Sequence, residues 1–392
     1  MKAFMKYMLL LILPGLMVGV FSISCTEDEL PNSGNPIVYY VRVTDPAKSD
    51  SLLVAAFMGD LIAIVGDNLG GVREIWFNDQ EAFLTPTYIT DQSILVNVPS
   101  TPPTEINDKM TMVFADGYTL EYDFRVDIPG PVLASIKSEY VEDGDIAVLN
   151  GDYFFDPIVV TFTDGLEAVV DNLEKTKLEV VVPEGASTGP ISITTNFGTV
   201  TSTFLFRDNR NTILDYDVYT HESWTSPIAY ADSMPEIDPC SGNYTYLKHD
   251  AVGSWMWTNE LTMQYWAPRG IKGNVPVATG SIYDLDFRFE VNIPVEWVEV
   301  QMRIFFAPYI EDHGHDNNVH AWWTPWEDGP YTTDGWETIS ILLTDFNTDN
   351  NGNPASIDDL SSLTNLTMMI FGSATGEYPV HICIDNPRIV PR

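Results

Sequence analysis

The residues best suited to chemistry stand together in His320-Ala321-Trp322-Trp323-Thr324-Pro325-Trp326-Glu327-Asp328-Gly329-Pro330-Tyr331, where three tryptophans and a tyrosine sit among prolines, glycine and acids. A flat indole stacks on the C–H face of a pyranose ring at little conformational cost, while nearby carboxylates and amides hydrogen-bond the sugar hydroxyls. Pro325 and Gly329-Pro330 break the run, so it reads as a surface loop with partly wet rings. Any one tryptophan could instead plug the open end of a β-sandwich, because Trp is usually mostly buried; four aromatics together favour exposure. Trp322, Trp323, Trp326 and Tyr331 are therefore the first ligand-binding candidates, Trp255, Trp257 and Tyr309 the second set, and Asp316, Asn317 and Asn318 the nearest polar partners.

Other chemistries have weaker patterns. His313-x-His315 with His320 nearby could hold zinc if two imidazoles shared a strand face, but polar loops of this composition are commoner as plain surface. Asn347-x-Asp349-x-Asn351-Gly352, with Asp358 beyond it, has calcium-loop spacing but no leading helix, and Asn/Asp/Gly clusters usually make turns. A glycosidase needs two carboxylates about 5–10 Å apart, which a chain so rich in acids supplies by chance. No G-x-S-x-G, H-E-x-x-H or P-loop occurs. The expectation is a binding protein with no catalytic residue, metal or cofactor.

What must position these aromatics is a chain of 392 residues, long enough for two or three domains. Its 19 basic and 56 acidic residues give a net charge of −37, which repels phosphate backbones and anionic lipid head groups and suits a neutral ligand. Nucleic acid is excluded as a partner on that ground.

The first half contains a repeat. Gly59-Asp60-Leu61-Ile62-Ala63-Ile64-Val65-Gly66-Asp67 returns as Gly144-Asp145-Ile146-Ala147-Val148-Leu149-Asn150-Gly151-Asp152, 85 residues on. The same offset carries Phe77 to Phe162 and Asp79 to Asp164, and Val98-Pro99 returns as Val182-Pro183 at an offset of 84. Short β-rich runs between Gly, Asp, Asn and Pro turns predict a small antiparallel sandwich in each copy. This order of motifs resembles the immunoglobulin-like IPT/TIG family, and the two modules span 35–128 and 129–208. Trp76, the only tryptophan in the pair, sits in a strand and reads as core or interface. The modules read as spacers, with Pro129-Gly130-Pro131 a stiff joint.

Residues 209–392 hold nine of the ten tryptophans and all six histidines. Tyr283–Val291 and Val298–Phe306 alternate apolar with polar residues, as strands with one wet face do. Ile357–Leu366 predicts a short helical turn over the sandwich, and Trp336 reads as structural. Cys240 and Cys383 either pair, joining the start of this domain to its last strand, or stay as two buried thiols.

At the N-terminus, Lys2 and Lys6 precede an apolar run, Met8 to Phe21, too short to span a membrane and suited to export. Ser22-Ile23-Ser24-Cys25 resembles a bacterial lipobox, with Ser22 where leucine is usual. The resemblance implies a signal peptide over 1–24, cleavage before Cys25, lipidation of its thiol, and a tether over 25–34. Thr26-Glu27-Asp28-Glu29 looks like the signal that places some Bacteroidota lipoproteins on the outer face of the outer membrane. Contact with the membrane is then through the lipid anchor only.

The order of lipoprotein signal, tandem IPT/TIG-like modules and aromatic-rich C-terminal sandwich is similar to the surface glycan-binding proteins of Bacteroidota polysaccharide-utilisation systems, those in the SusE-like position above all. Ser241-Gly242-Asn243-Tyr244, Ser254-Trp255-Met256-Trp257, Trp323-x-Pro-Trp326 and Gly335-Trp336-Glu337-Thr338 carry the likeness in the last domain. It implies an all-β chain: two tandem immunoglobulin-like sandwiches and a C-terminal jelly-roll-like glycan-binding sandwich over 209–392. It also implies a non-catalytic surface protein that captures polysaccharide and delivers it to a TonB-dependent transporter and its SusD-like partner lipoprotein. A β-glucan or hemicellulose suits an extended aromatic platform. The rivals are a jelly-roll glycoside hydrolase or polysaccharide lyase, and an adhesin that binds a host protein through the repeated modules.

Overall fold

The computed structural model describes residues 34–48, 50–217, 228–229, 236–254, 262–266, 276–308, 318–373 and 375–392. Among them every regular element is a strand or a single 3-10 turn, and between Ile128 and Pro129 the chain divides into two compact units.

The first unit is a sandwich of two four-stranded sheets. One runs in the order Leu52–Leu53, Ile37–Val43, Leu61–Asp67, Ser93–Asn97, and the other Gln80–Glu81, Val72–Phe77, Lys109–Phe114, Thr119–Asp123. Alternation sends Ile62, Ile64, Ile75, Phe77, Ile94, Met110 and Met112 into one core, where Phe77 meets Phe124 edge-on at 5.8 Å.

The repeat seen in the sequence is also a repeat of geometry. In the second module the strands Val132–Ile136, Ile146–Asp152, Lys177–Val181 and Val169–Leu173 form one sheet, and Ile158–Thr161, Ser192–Thr195 and Gly198–Thr201 the other. Gly59 and Gly144 both turn at positive φ, 85° and 92°, and each N–H donates at 2.9 Å to the carbonyl of the matching valine, Val98 or Val182. Gly66 and Gly151 face a bulge in the neighbouring strand, where a Cβ would stand 2.0 Å from the Ile37 carbonyl oxygen and 1.8 Å from that of Val132. Sequence identity at these positions is therefore enforced by turn and bulge geometry.

The second unit joins this module to the C-terminal sandwich. A five-stranded sheet runs Ile228–Ala229, Tyr244–Val252, Tyr378–Pro391, Leu285–Asn292, Glu337–Leu342, opposite a four-stranded sheet in the order Thr262–Trp266, Asn365–Phe371, Gln301–Ala307, His320–Trp323. Phe287, Phe289, Trp297, Met302, Ile304, Phe306, Met368 and Ile382 fill the space between. The turn expected near Ile357 is the 3-10 turn Leu360–Ser362, with Ile357 and Leu360 packed into this core.

Where module and sandwich meet, charge is buried. Arg388, with no exposed surface, gives Nη2 to Glu139 Oε2 at 2.6 Å and to Glu290 Oε1 at 2.8 Å, while Arg288 Nη1 reaches Glu139 Oε1 at 2.6 Å. Thr338 Oγ1 accepts from the Glu139 N–H at 2.7 Å and donates to Glu290 Oε2 at 2.6 Å, so one hydroxyl bridges both elements. Burial raises the Glu290 pKa against the pull of Arg388. Burial alone would lower that of Arg388, but Glu290 and Glu139 outweigh it and hold the guanidinium charged. The open question of the cysteines closes as two buried, unpaired thiols, with Cys240 Sγ donating to Asp385 Oδ2 at 3.5 Å. Burial lifts the Cys383 thiol to about 12 and that of Cys240 well above the usual range.

Candidate functional site

The aromatic stretch is not a loop at its start. His320–Trp323 is the edge strand of the four-stranded sheet, paired antiparallel with Gln301–Ala307 so that Trp322 faces Arg303 and Trp323 faces Met302. Consecutive strand residues point to opposite faces, so two adjacent indoles cannot share one flat platform. The strand divides the rings between its two faces, and Trp323, Trp326 and Tyr331 stay partly exposed while packing on the core.

Trp323 turns inward with Ala321. It meets Trp297 at 5.2 Å, Phe289 at 5.6 Å and Tyr331 at 6.1 Å, each close to perpendicular, as packed aromatics prefer. Trp326 also packs against the core. Its Nε1 and that of Trp297 each donate to the Val300 carbonyl at 2.6 Å, which anchors the turn that follows the strand. Tyr331 exchanges backbone hydrogen bonds with Trp297 and sets its hydroxyl 3.4 Å from Glu337 Oε2; burial, then Glu337, pushes its phenol up to about 12. These three rings pack against the sandwich core and keep part of their surface exposed.

Trp322 is the ring that turns outward, and 37% of it remains exposed. Its surroundings form a small site that the sequence motif did not contain. The Arg303 guanidinium lies 4.4 Å from the Trp322 ring centre and 4.1 Å from that of Phe371, on the adjoining strand. Arg303 Nη1 donates to Asn350 Oδ1 at 2.9 Å, and burial is the cause that lowers its pKa. The turn Asp349–Asn353 runs against the edge of the indole, since a Cβ on Gly352 would come within 3.9 Å of Trp322 Cη2. Deeper on the same strand face, His320 is buried and stacks on Phe305 at 4.7 Å. The arrangement offers an indole surface, a guanidinium with several N–H donors, and the Asn350 amide that binds it.

The remaining candidates fall differently. Trp255, Trp257, Tyr309, Asp316 and Asn317 lie outside the described residues, as do His313, His315 and Cys25. Asn318 is buried. The loop with calcium-like spacing is a turn knit by Asp349, which accepts from the backbone N–H groups of Asn351 and Asn353 at 2.8 Å and from Asn353 Nδ2 at 2.9 Å. Hydrogen bonds from Asn353 hold the Asp349 carboxyl below the usual range. Among the described residues no group of three His, Cys, Asp or Glu side chains is placed to hold a metal. Trp336, read as structural, packs edge-on against Tyr244 at 5.2 Å and donates Nε1 to the Asp238 carbonyl at 2.7 Å. Arg303 and Phe371 were missed; the signal was the alternation in Val298–Phe306, which turns Met302 and Ile304 inward and Arg303 outward.

Comparison with known proteins adds an independent line. Residues 206–391 match the family described as the surface glycan-binding protein B xyloglucan binding domain. An IPT/TIG domain-containing protein of Bacteroides ovatus is 32% identical over 164 residues, 39% of this chain; the match spans about a third, 33%, of that relative's length. Among solved structures, surface glycan-binding protein B of Prevotella bryantii superposes with a TM-score of 0.67 at 28% identity, covering 92% of this chain and 99% of that one. A surface glycan-binding protein B from a complex xyloglucan utilization locus in Bacteroides uniformis gives a TM-score of 0.55 at 19% identity over 92% of this chain and all, 100%, of its own, a likeness of fold.

Proposed function

From the premise that the C-terminal domain is of the surface glycan-binding protein B kind, carried on IPT/TIG-type modules, we propose that the protein captures a neutral polysaccharide at the cell surface without cleaving it. The observation that carries this reading is Trp322, an exposed indole on a sheet face flanked by the Arg303 guanidinium, which Asn350 binds. A sugar ring stacks on the free indole surface while its hydroxyls accept from the guanidinium and exchange hydrogen bonds with the Asn350 amide. One such platform contributes on the order of 1–3 kcal/mol, by analogy with other aromatic stacking, so a single site binds weakly and a repeating polymer gains by engaging many anchored copies.

A β-glucan or hemicellulose backbone suits this site, and the charge of −37 disfavours acidic chains. Lipidation at Cys25 would hold the protein at the outer membrane by its anchor, with the IPT/TIG-type modules as spacers. Its cargo would pass to a TonB-dependent transporter and its SusD-like partner. The second-choice rings Trp255, Trp257 and Tyr309 belong to the same proposal as further platforms.

Affinity electrophoresis of the chain from residue 26 onward, in native gels that each contain one neutral polysaccharide, tests the reading. Retardation of the parent, lost in Trp322→Ala, with polymer length unchanged, is the expected result. Equal retardation of parent and variant removes Trp322 from the site, and shortening of the polymer overturns the non-catalytic reading.

A further inference from the structure

The second unit has another concavity, a cleft of about 710 Å3 where the module 129–208 meets the C-terminal sandwich. That volume lies within the roughly 300–1,000 Å3 of small-ligand sites. Its lining shares no residue with the Trp322 face: Trp336 and Asn292 come from the five-stranded sheet and its approach, Glu236 and Asp238 from the segment before Tyr244–Val252, and Lys137 and Glu142 from the module.

Asn292 is the telling residue. It ends the strand Leu285–Asn292, is only 7% exposed, lines the cleft, and makes no side-chain hydrogen bond among the described residues. Its amide N and O are not among the sealed, unpaired polar atoms of the described residues, so they open to the cleft and can hydrogen-bond a ligand that enters it. Trp336 is fixed beside it by its bond to the Asp238 carbonyl and its edge contact with Tyr244, while part of the ring stays wet. Among the described residues, the carboxylates around the cleft do not converge on a metal-binding cluster. Spread acceptors, one amide and one indole are the complement of a polyhydroxylated neutral molecule, and the acidic rim opposes a uronic acid.

We infer that this cleft is a second saccharide site, which takes a short neutral oligosaccharide segment on Trp336 with Asn292 as its buried hydrogen-bonding group. It rests on the glycan-capture reading but not on the Trp322 face. Two sites on one chain would let a single polymer bind both and raise its apparent affinity without new contacts at either.

Isothermal titration of the chain from residue 26 onward with a xylogluco-oligosaccharide and with a mixed-linkage glucan heptasaccharide tests it, on the parent, Trp322→Ala, Asn292→Ala, Trp336→Ala and Trp322→Ala/Asn292→Ala. The expected result is two oligosaccharides per parent chain and one for Trp322→Ala, with the remaining affinity about fivefold weaker when Asn292→Ala is added, as the loss of one neutral hydrogen bond predicts. Trp336→Ala removes a ring that packs on Tyr244, so Asn292→Ala, which touches no ring contact, keeps the test decisive if that variant melts early. One oligosaccharide per chain, abolished by Trp322→Ala and untouched by Asn292→Ala, overturns the second site and leaves the capture reading intact. No binding by the parent to either oligosaccharide, or to any polysaccharide in native gels, overturns both.

Discussion

Replacing Arg388 with methionine tests the account of the junction between module and sandwich. Arg388 is fully buried, and its guanidinium is the cation shared by Glu139 and Glu290. Methionine fills much of the stem's volume but leaves the carboxylates behind. Glu139 keeps Arg288 at 2.6 Å, whereas Glu290, with no exposed surface, keeps only the Thr338 hydroxyl. Breaking a buried pair by removing one partner costs about 3–5 kcal/mol, and because Arg288 still compensates one acid the lower end, about 3 kcal/mol, is expected. For a domain of this size that is a fall of roughly 6–12 °C in the melting of the second unit, measured by differential scanning calorimetry. The pH dependence gives a sharper signature. A carboxyl whose folded pKa is raised, as burial raises Glu290, contributes stability that is present below its unfolded pKa and lost as pH rises through the folded value. Without Arg388 that folded value climbs further, so the deficit of the variant should be largest near pH 8 and shrink as pH falls towards 5. Adding Glu290→Gln should recover part of it. A melting temperature within a degree or two of the parent, or a deficit that grows on acidification, would refute this reasoning.

Trp322→Ala should cost roughly 1–3 kcal/mol of glycan affinity with almost no change in melting temperature, whereas Trp323→Ala, its neighbour on the core side, should destabilise the fold by ~3–5 kcal/mol, both read by calorimetry beside affinity gels. Gly66→Ala and Gly151→Ala place a Cβ at 2.0 Å and 1.8 Å from a facing carbonyl oxygen, so each should destabilise its own unit by at least the ~1–3 kcal/mol of overpacking, with the two losses appearing in separate calorimetric transitions. Cys240 and Cys383 should resist a thiol reagent at pH 8 in the folded chain and both react in denaturant, since burial raises both thiol pKas; rapid labelling of either in the folded state would contradict their placement.

Much of this protein is legible in its sequence, because the signals involved are local. A period of two marks strands, and glycine and aspartate at fixed offsets mark the turns they permit. The recurrence of Gly59 to Asp67 at Gly144 to Asp152 exposes two copies of one sandwich, since the same turn and the same bulge demand the same residues. Net charge disfavours anionic partners by summation alone. What the sequence did not decide is which way a ring points. Trp322 and Trp323 are chemically identical, and only the pairing of His320–Trp323 with Gln301–Ala307 puts one outside beside Arg303 and the other against Trp297. Pairing joins residues far apart in the chain, so no local pattern carries it. The same holds for Glu139, Glu290 and Arg388, three charged residues that no local pattern sets apart and that become a buried cluster only when the module and the last strand are brought together. Periodicity and turn chemistry act over a few residues and survive in the sequence, whereas exposure and charge pairing are set by which surfaces fold against each other.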